Sequence, residues 1–195
     1  MHSYPLSLSF KVIAFNPQVR VADPTGRVVM YVKQKALKLR EDVTIFADEQ
    51  QRLPMLRMKA DRIIDIHATY TIRDQSETVV GAVQGHGLRS IWRKSFTIMD
   101  PTGQEIGSIQ EDNPWIKVAD SLVNEIPLIG WIGGMFINPT YTVTLRGIQA
   151  LHLKKKPSFM ERHFTLDRTA EIGDADEQLL LASLIMMLLL VRGRG

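Results

Sequence analysis

Apolar and polar residues alternate with period two over most of the first 110 residues, the mark of strands with one face in a core and the other in water. Leu6, Leu8, Phe10 and Val12 alternate with Ser7, Ser9 and Lys11. Ile64, Ile66, Ala68, Tyr70 and Ile72 alternate with Asp65, His67, Thr69, Thr71 and Arg73, a run long enough for one bent strand or two. The same reading predicts strands at 19–22, 27–33, 43–47, 56–59, 78–84, 88–92, 95–99, 104–110, 141–145, 150–154 and 163–166. About a dozen short strands is a number typical of a barrel or a sandwich.

The pattern changes twice. Asp112-Asn113-Pro114 offers a cap and a first-turn proline, and Trp115, Val118, Ala119, Leu122 and Ile126 then fall at helical spacing. An amphipathic helix lying on the sheet is predicted over 114–126, ending at Pro127; LIGWIGGMFI follows, its Gly130, Gly133 and Gly134 favouring a loop or strand folded onto the core. At the other change, Leu179 to Val191 (LLLASLIMMLLLV) is apolar on every side. Such a helix lies in a membrane or is surrounded by protein. Thirteen residues span roughly 20 Å, short of the ~30 Å hydrocarbon core of a bilayer, so a helix buried in the protein is expected.

One turn is repeated. Asp23-Pro24-Thr25-Gly26 recurs as Asp100-Pro101-Thr102-Gly103, each between two predicted strands. Proline presets the second turn position, aspartate accepts from the amides ahead of it and glycine supplies the exit, so both are read as hairpin turns rather than metal sites. A weaker third copy of the hairpin starts at Tyr141, in YTVTLRGIQALHLKKKPSF. Duplicated hairpins point to a closed or pseudo-symmetric sheet.

A chain of 195 residues suits one domain spanning 1–195, and 45% hydrophobic with 23% charged residues are ordinary globular values. A net charge of +3 is too small to argue for nucleic acid, and none is expected as a partner. There is no cysteine, hence no disulfide, thiolate metal site or cysteine nucleophile. MHSYPLSLSFKVIAF has neither the basic start nor the unbroken apolar stretch of a signal peptide, so a cytoplasmic protein is expected, peripheral at a membrane if it meets one.

No catalytic pattern stands out. There is no nucleophile elbow, no phosphate-binding loop, and His2, His67, His86, His152 and His163 are isolated from one another in sequence. A non-enzyme without a cofactor is expected. The basic residues are more suggestive because they come in runs without acids. Lys33, Lys35, Lys38 and Arg40 form one run, and Arg89, Arg93 and Lys94 a second. Arg146, Lys154, Lys155 and Lys156 gather where no acid occurs between Glu125 and Glu161. If their hairpins are adjacent, Lys33, Lys35, Arg93, Lys94, Lys154, Lys155 and Lys156 merge into one patch for anionic head groups, at ~1 kcal/mol per charge. Lysine at strand edges also serves simply to discourage aggregation, which leaves a structural or protein-interaction module as the alternative.

The order YPLSLSFKVI, VRVADPTGRVVMYVKQK, NEIPLIGWIGGMFINPTYTV, LKKKPSFMERHFTL and LLLASLIMMLLLVRGRG resembles the LURP-one-related proteins of the tubby C-terminal and phospholipid-scramblase superfamily over essentially the whole chain. Its most specific parts are Lys33 and Lys35, Asn138 to Tyr141, Lys155 with Lys156 and Phe159, and the apolar C-terminus. The resemblance implies a mainly β fold, a closed antiparallel twelve-stranded barrel around a buried hydrophobic C-terminal helix. It also implies phosphoinositide-like lipid as the ligand of basic strand residues, and a scramblase-like membrane role as a further alternative. Through the scramblases it carries a calcium suggestion to Asp174, Asp176 and Glu177, where acids at a helix start equally serve the macrodipole.

Overall fold

The computed structural model describes residues 2–13, 16–33, 42–61, 68–86, 95–112, 140–156 and 162–192. Alternation of side chains makes strands of β1 (Leu6–Ile13), β2 (Asn16–Ala22), β3 (Val28–Lys33), β4 (Asp42–Phe46), β5 (Pro54–Ala60) and β6 (Thr69–Asp74). It continues through β7 (Val79–His86), β8 (Ser95–Met99), β9 (Glu105–Asp112), β10 (Thr140–Leu145), β11 (Ile148–Lys156) and β12 (Arg162–Arg168). Each strand pairs antiparallel with the next, and β1 pairs with β12, Leu6 opposite Leu166 and Phe10 opposite Arg162. The sheet is therefore a closed up-and-down barrel of twelve strands, which removes the free edges that a sandwich would leave.

Closure at twelve strands fixes what fills the middle. With strands ~4.8 Å apart and tilted ~40°, the wall is about 24 Å across, too wide for side chains alone to meet. The helix α1 (Asp174–Arg192) occupies the lumen. At about 10–12 Å in diameter it leaves about 6 Å on each side, one layer of inward side chains. That layer includes Leu8, Phe10, Met30, Ile45, Met58, Ile72, Ile98 and Phe164, all buried. Leu179 to Leu189 are buried without interruption, which is why this helix has no polar face. Its one buried hydroxyl, Ser183, donates to the Leu179 carbonyl one turn back at 2.8 Å.

The helix is longer than the apolar run, beginning at Asp174 rather than at Leu179. The Gly173 carbonyl accepts the Glu177 N–H at 2.8 Å, so Gly173 caps the helix and the acids form its first turn. The expected amphipathic helix over 114–126, the glycine-containing run after it, the 88–92 strand and the first half of the Ile64 to Ile72 alternation lie outside the described residues.

Among the described residues the β2–β3, β4–β5, β6–β7, β8–β9 and β10–β11 turns lie at one end of the barrel, and aspartate builds four of them. Asp23 Oδ1 accepts from the Thr25 amide (2.9 Å), the Thr25 hydroxyl (2.5 Å) and the Arg27 amide (3.1 Å). Asp100 repeats this with Thr102 and Gln104. Asp74 does the same with Ser76 and Thr78, and Asp48 with Arg52 and Leu53. Gly26 and Gly103 take φ near +85°, while Glu77 and Gln51 hold the corresponding left-handed position without glycine. The β10–β11 hairpin instead uses a two-residue turn, Arg146 (φ 47°) and Gly147 (φ 80°).

Candidate anion-binding sector of the barrel

Because neighbouring strands run in opposite directions, the barrel has two distinct ends. The hairpin end carries the five described turns and the start of α1. At the far end β1, β3, β5, β7, β9 and β11 finish and β2, β4, β6, β8, β10 and β12 begin. The two groups of charged residues singled out in the sequence fall at opposite ends.

Lys33 is the last residue of β3, and Lys154, Lys155 and Lys156 are the last three of β11, all at the far end. Lys35, Arg93 and Lys94 lie outside the described residues, in the β3–β4 and β7–β8 connections whose ends are anchored at that same end. The pleat divides the lysine triplet. Lys154 and Lys156 are exposed on the outer face, whereas Lys155 is opposite Phe164 and shares its lumen-facing register. Lys154 Nζ donates to Asp167 Oδ2 at 3.1 Å.

Between β11 and β3 lie β12, β1 and β2, so the two lysine positions are about 19 Å apart along the wall at ~4.8 Å per strand. The cross-strand register fills this interval with residues that the sequence runs did not include. Lys156 is opposite His163, His163 is opposite Ser9, and Lys11 is opposite Gln18, which is opposite Lys33. Lys11 and His163 thus join the row. The period-two pattern of LSLSFKVI already put Lys11 on the outer face; the β1–β2–β3 register brings it near Lys33, and closure of the barrel through β12 brings it round to the lysines of β11.

Charge is divided around the wall. The five adjacent strands β11, β12, β1, β2 and β3 hold eight Lys and Arg residues and one acid, Asp167. The other seven hold three Lys and Arg residues and five acids. Of the eight, Arg20 is engaged by Glu49, and Arg168 lies at the hairpin end over the Tyr4 ring, 5.1 Å from its centre. Lys33 and Lys156 make no ion pair among the described residues. The neutral β10 outer face, Thr140, Thr142 and Thr144, bounds the sector on one side.

The acids at the start of α1 have other work. Arg146 donates to both carboxylate oxygens of Asp176, at 2.8 and 3.1 Å, which also raises the guanidinium pKa through that hydrogen-bonded pairing. Glu177 is 1% exposed, and the His2 N–H donates to its Oε1 and Oε2 at 3.3 and 3.1 Å. Burial, with Glu177 alongside, pushes the Tyr4 phenol above its ordinary range. Residues 2–4 therefore close the hairpin end over the helix start. Among the described residues no three His, Cys, Asp or Glu side chains are grouped so as to hold a metal ion.

Among the described residues no helix is long and apolar enough to cross a membrane. A twelve-stranded barrel that buries a C-terminal helix and concentrates basic residues on five adjacent strands defines the class. The chain matches the family described as LURP-one-related over residues 55–187, from β5 into α1, more than half its length, and it belongs to that family. No curated protein matches it.

Proposed function

We propose that this chain is a single, non-catalytic barrel domain that binds anionic phospholipid head groups, phosphoinositide-like in chemistry, at the cytoplasmic surface of a membrane and without a cofactor. The observation that carries the reading is the division of charge around the wall: eight basic residues and one acid on β11, β12, β1, β2 and β3. Lysine supplies point charges on flexible stems that suit phosphate, and each near an anionic surface contributes ~1 kcal/mol. Lys35, Arg93 and Lys94 are included in the proposed site through the segments that bear them. α1 reaches no bilayer in this reading, because its apolar surface is already used by the wall.

The test is flotation of the purified protein on phosphatidylcholine vesicles with and without phosphatidylserine or a phosphoinositide. The protein is expected to float only with anionic vesicles and to be released by salt, since exposed charges are screened beyond ~8 Å at physiological strength. Replacing Lys154 and Lys156, the two exposed lysines of the triplet, together by alanine is expected to weaken flotation while leaving the fold intact. Equal behaviour on neutral and anionic vesicles would instead make the chain a protein-interaction module.

A further inference from the structure

The only acid on the five basic strands stands between two partners. Asp167 accepts from Lys154 at 3.1 Å, and it is also the direct cross-strand neighbour of His152, whose outer-face position it shares. On the other side of His152, Nε2 lies 3.1 Å from Asp112 Oδ2, and the Thr142 hydroxyl donates to Asp112 Oδ1 at 2.8 Å. His152 is thus placed between two carboxylates on the outer face, at the border of the basic sector. The charged or titratable groups facing it there are Asp112 from β9, Asp167 from β12 and Lys154 from its own strand. β10, between β9 and β11, contributes Thr142.

We infer that His152 and Asp167 form a proton-operated control on the basic sector: protonation of His152 draws Asp167 toward the imidazolium and releases Lys154 for an anionic head group. This rests on the reading of that sector as a head-group site. With neutral imidazole the four groups Asp112, His152, Lys154 and Asp167 carry one net negative charge, so the two carboxylates outweigh the lysine where its charge is needed. With imidazolium they are neutral as a set, and Asp167 has a second cation, closer in register, to satisfy. Histidine is the side chain suited to such a change between about pH 5 and 8. The sign follows: lowering the pH strengthens attraction to anionic surfaces by about one unit charge, about five-fold in affinity.

The experiment measures binding of the full chain to phosphatidylcholine vesicles containing about 20% phosphatidylserine, at about pH 7.5 and about pH 5.5. Wild type is expected to bind about five-fold tighter at the lower pH. In a His163→Gln background, which removes the other histidine of the row, His152→Gln should bind at the higher pH as its parent does and lose the gain. Asp167→Asn, which frees Lys154 permanently, should bind at the higher pH as tightly as wild type binds at the lower. Both positions are partly exposed, so the variants are expected to fold. A His152→Gln variant that keeps the full gain in the His163→Gln background overturns the control but leaves the head-group reading standing. Absence of binding at both pH values overturns both.

Discussion

Arg146, in the β10–β11 turn, holds Asp176, in the first turn of α1, with two hydrogen bonds of 2.8 and 3.1 Å. The planar guanidinium and the carboxylate meet in the paired geometry that makes such contacts specific. The turn thereby fixes where the helix enters the lumen. Because Arg146 is well exposed, the pair is expected to contribute no more than about 1 kcal/mol. A double-mutant cycle with Arg146→Asn and Asp176→Asn, followed by urea unfolding, should return a coupling of that size. Asparagine tolerates the left-handed backbone of position 146, so the cycle reports the pair and not the turn.

At Gly81 the wall leaves no room for a side chain against the helix. A Cβ built there would stand 2.5 Å from the Met99 carbonyl oxygen and 2.8 Å from Leu179 Cδ1. Gly81→Ala is expected to destabilise the barrel by about 1–3 kcal/mol, as overpacked cores do. Its cost should fall in a Leu179→Ala background but not vanish, since the Met99 carbonyl stays in place.

The middle of α1 admits no charge. Leu184 and Met187 are fully buried, with the wall on all sides. Leu184→Ala should cost about 2–5 kcal/mol in unfolding free energy. Leu184→Asp or Met187→Asp, which place an uncompensated carboxylate in the lumen, should yield no folded protein by circular dichroism.

Acid stability should depend on the repeated aspartate turns. Hydrogen bonds from the Thr25 and Thr102 hydroxyls, with the turn amides, hold the Asp23 and Asp100 carboxyls below the ordinary carboxylate range. A folded pKa below the unfolded value of about 3.9 means the contribution is complete above that value and is lost as pH falls through the folded pKa. Asp23→Asn with Asp100→Asn should therefore lower Tm at neutral pH and flatten its fall below about pH 4.

The inward and outward sides of β1 and β6 were legible because burial there enforces period two: Leu6, Leu8, Tyr70 and Ile72, predicted inward, are buried, whereas in β3 all four residues from Val29 to Val32 are buried. The start of α1 was not, because Asp174, Asp176 and Glu177 break the apolar run while remaining helical. The turn at Asp74 escaped notice because Gln75 and Glu77 replace the proline and glycine that mark the other two. Lys11 lies near Lys33, and His163 opposite Lys156, through consecutive strands, but the two halves of the row could not be joined from sequence, since they meet only where β1 pairs with β12 across the whole chain. Conversely, the lysine triplet read as one cluster is split by the pleat, with Lys155 on the lumen side.

Location, and not net charge, is the central claim, and one comparison isolates it. Lys156 ends β11 and Lys59 sits near the end of β5, both exposed, both toward the far end and six strands apart in either direction round the barrel. That places them about 24 Å apart, well beyond the ~8 Å over which exposed charges act at physiological salt. Lys156→Glu and Lys59→Glu change the total charge equally. In flotation on anionic vesicles, Lys156→Glu should weaken binding about 30-fold, two unit charges' worth, and Lys59→Glu should leave it near wild type. Equal weakening by both, or by neither, would contradict the assignment of binding to the basic strands.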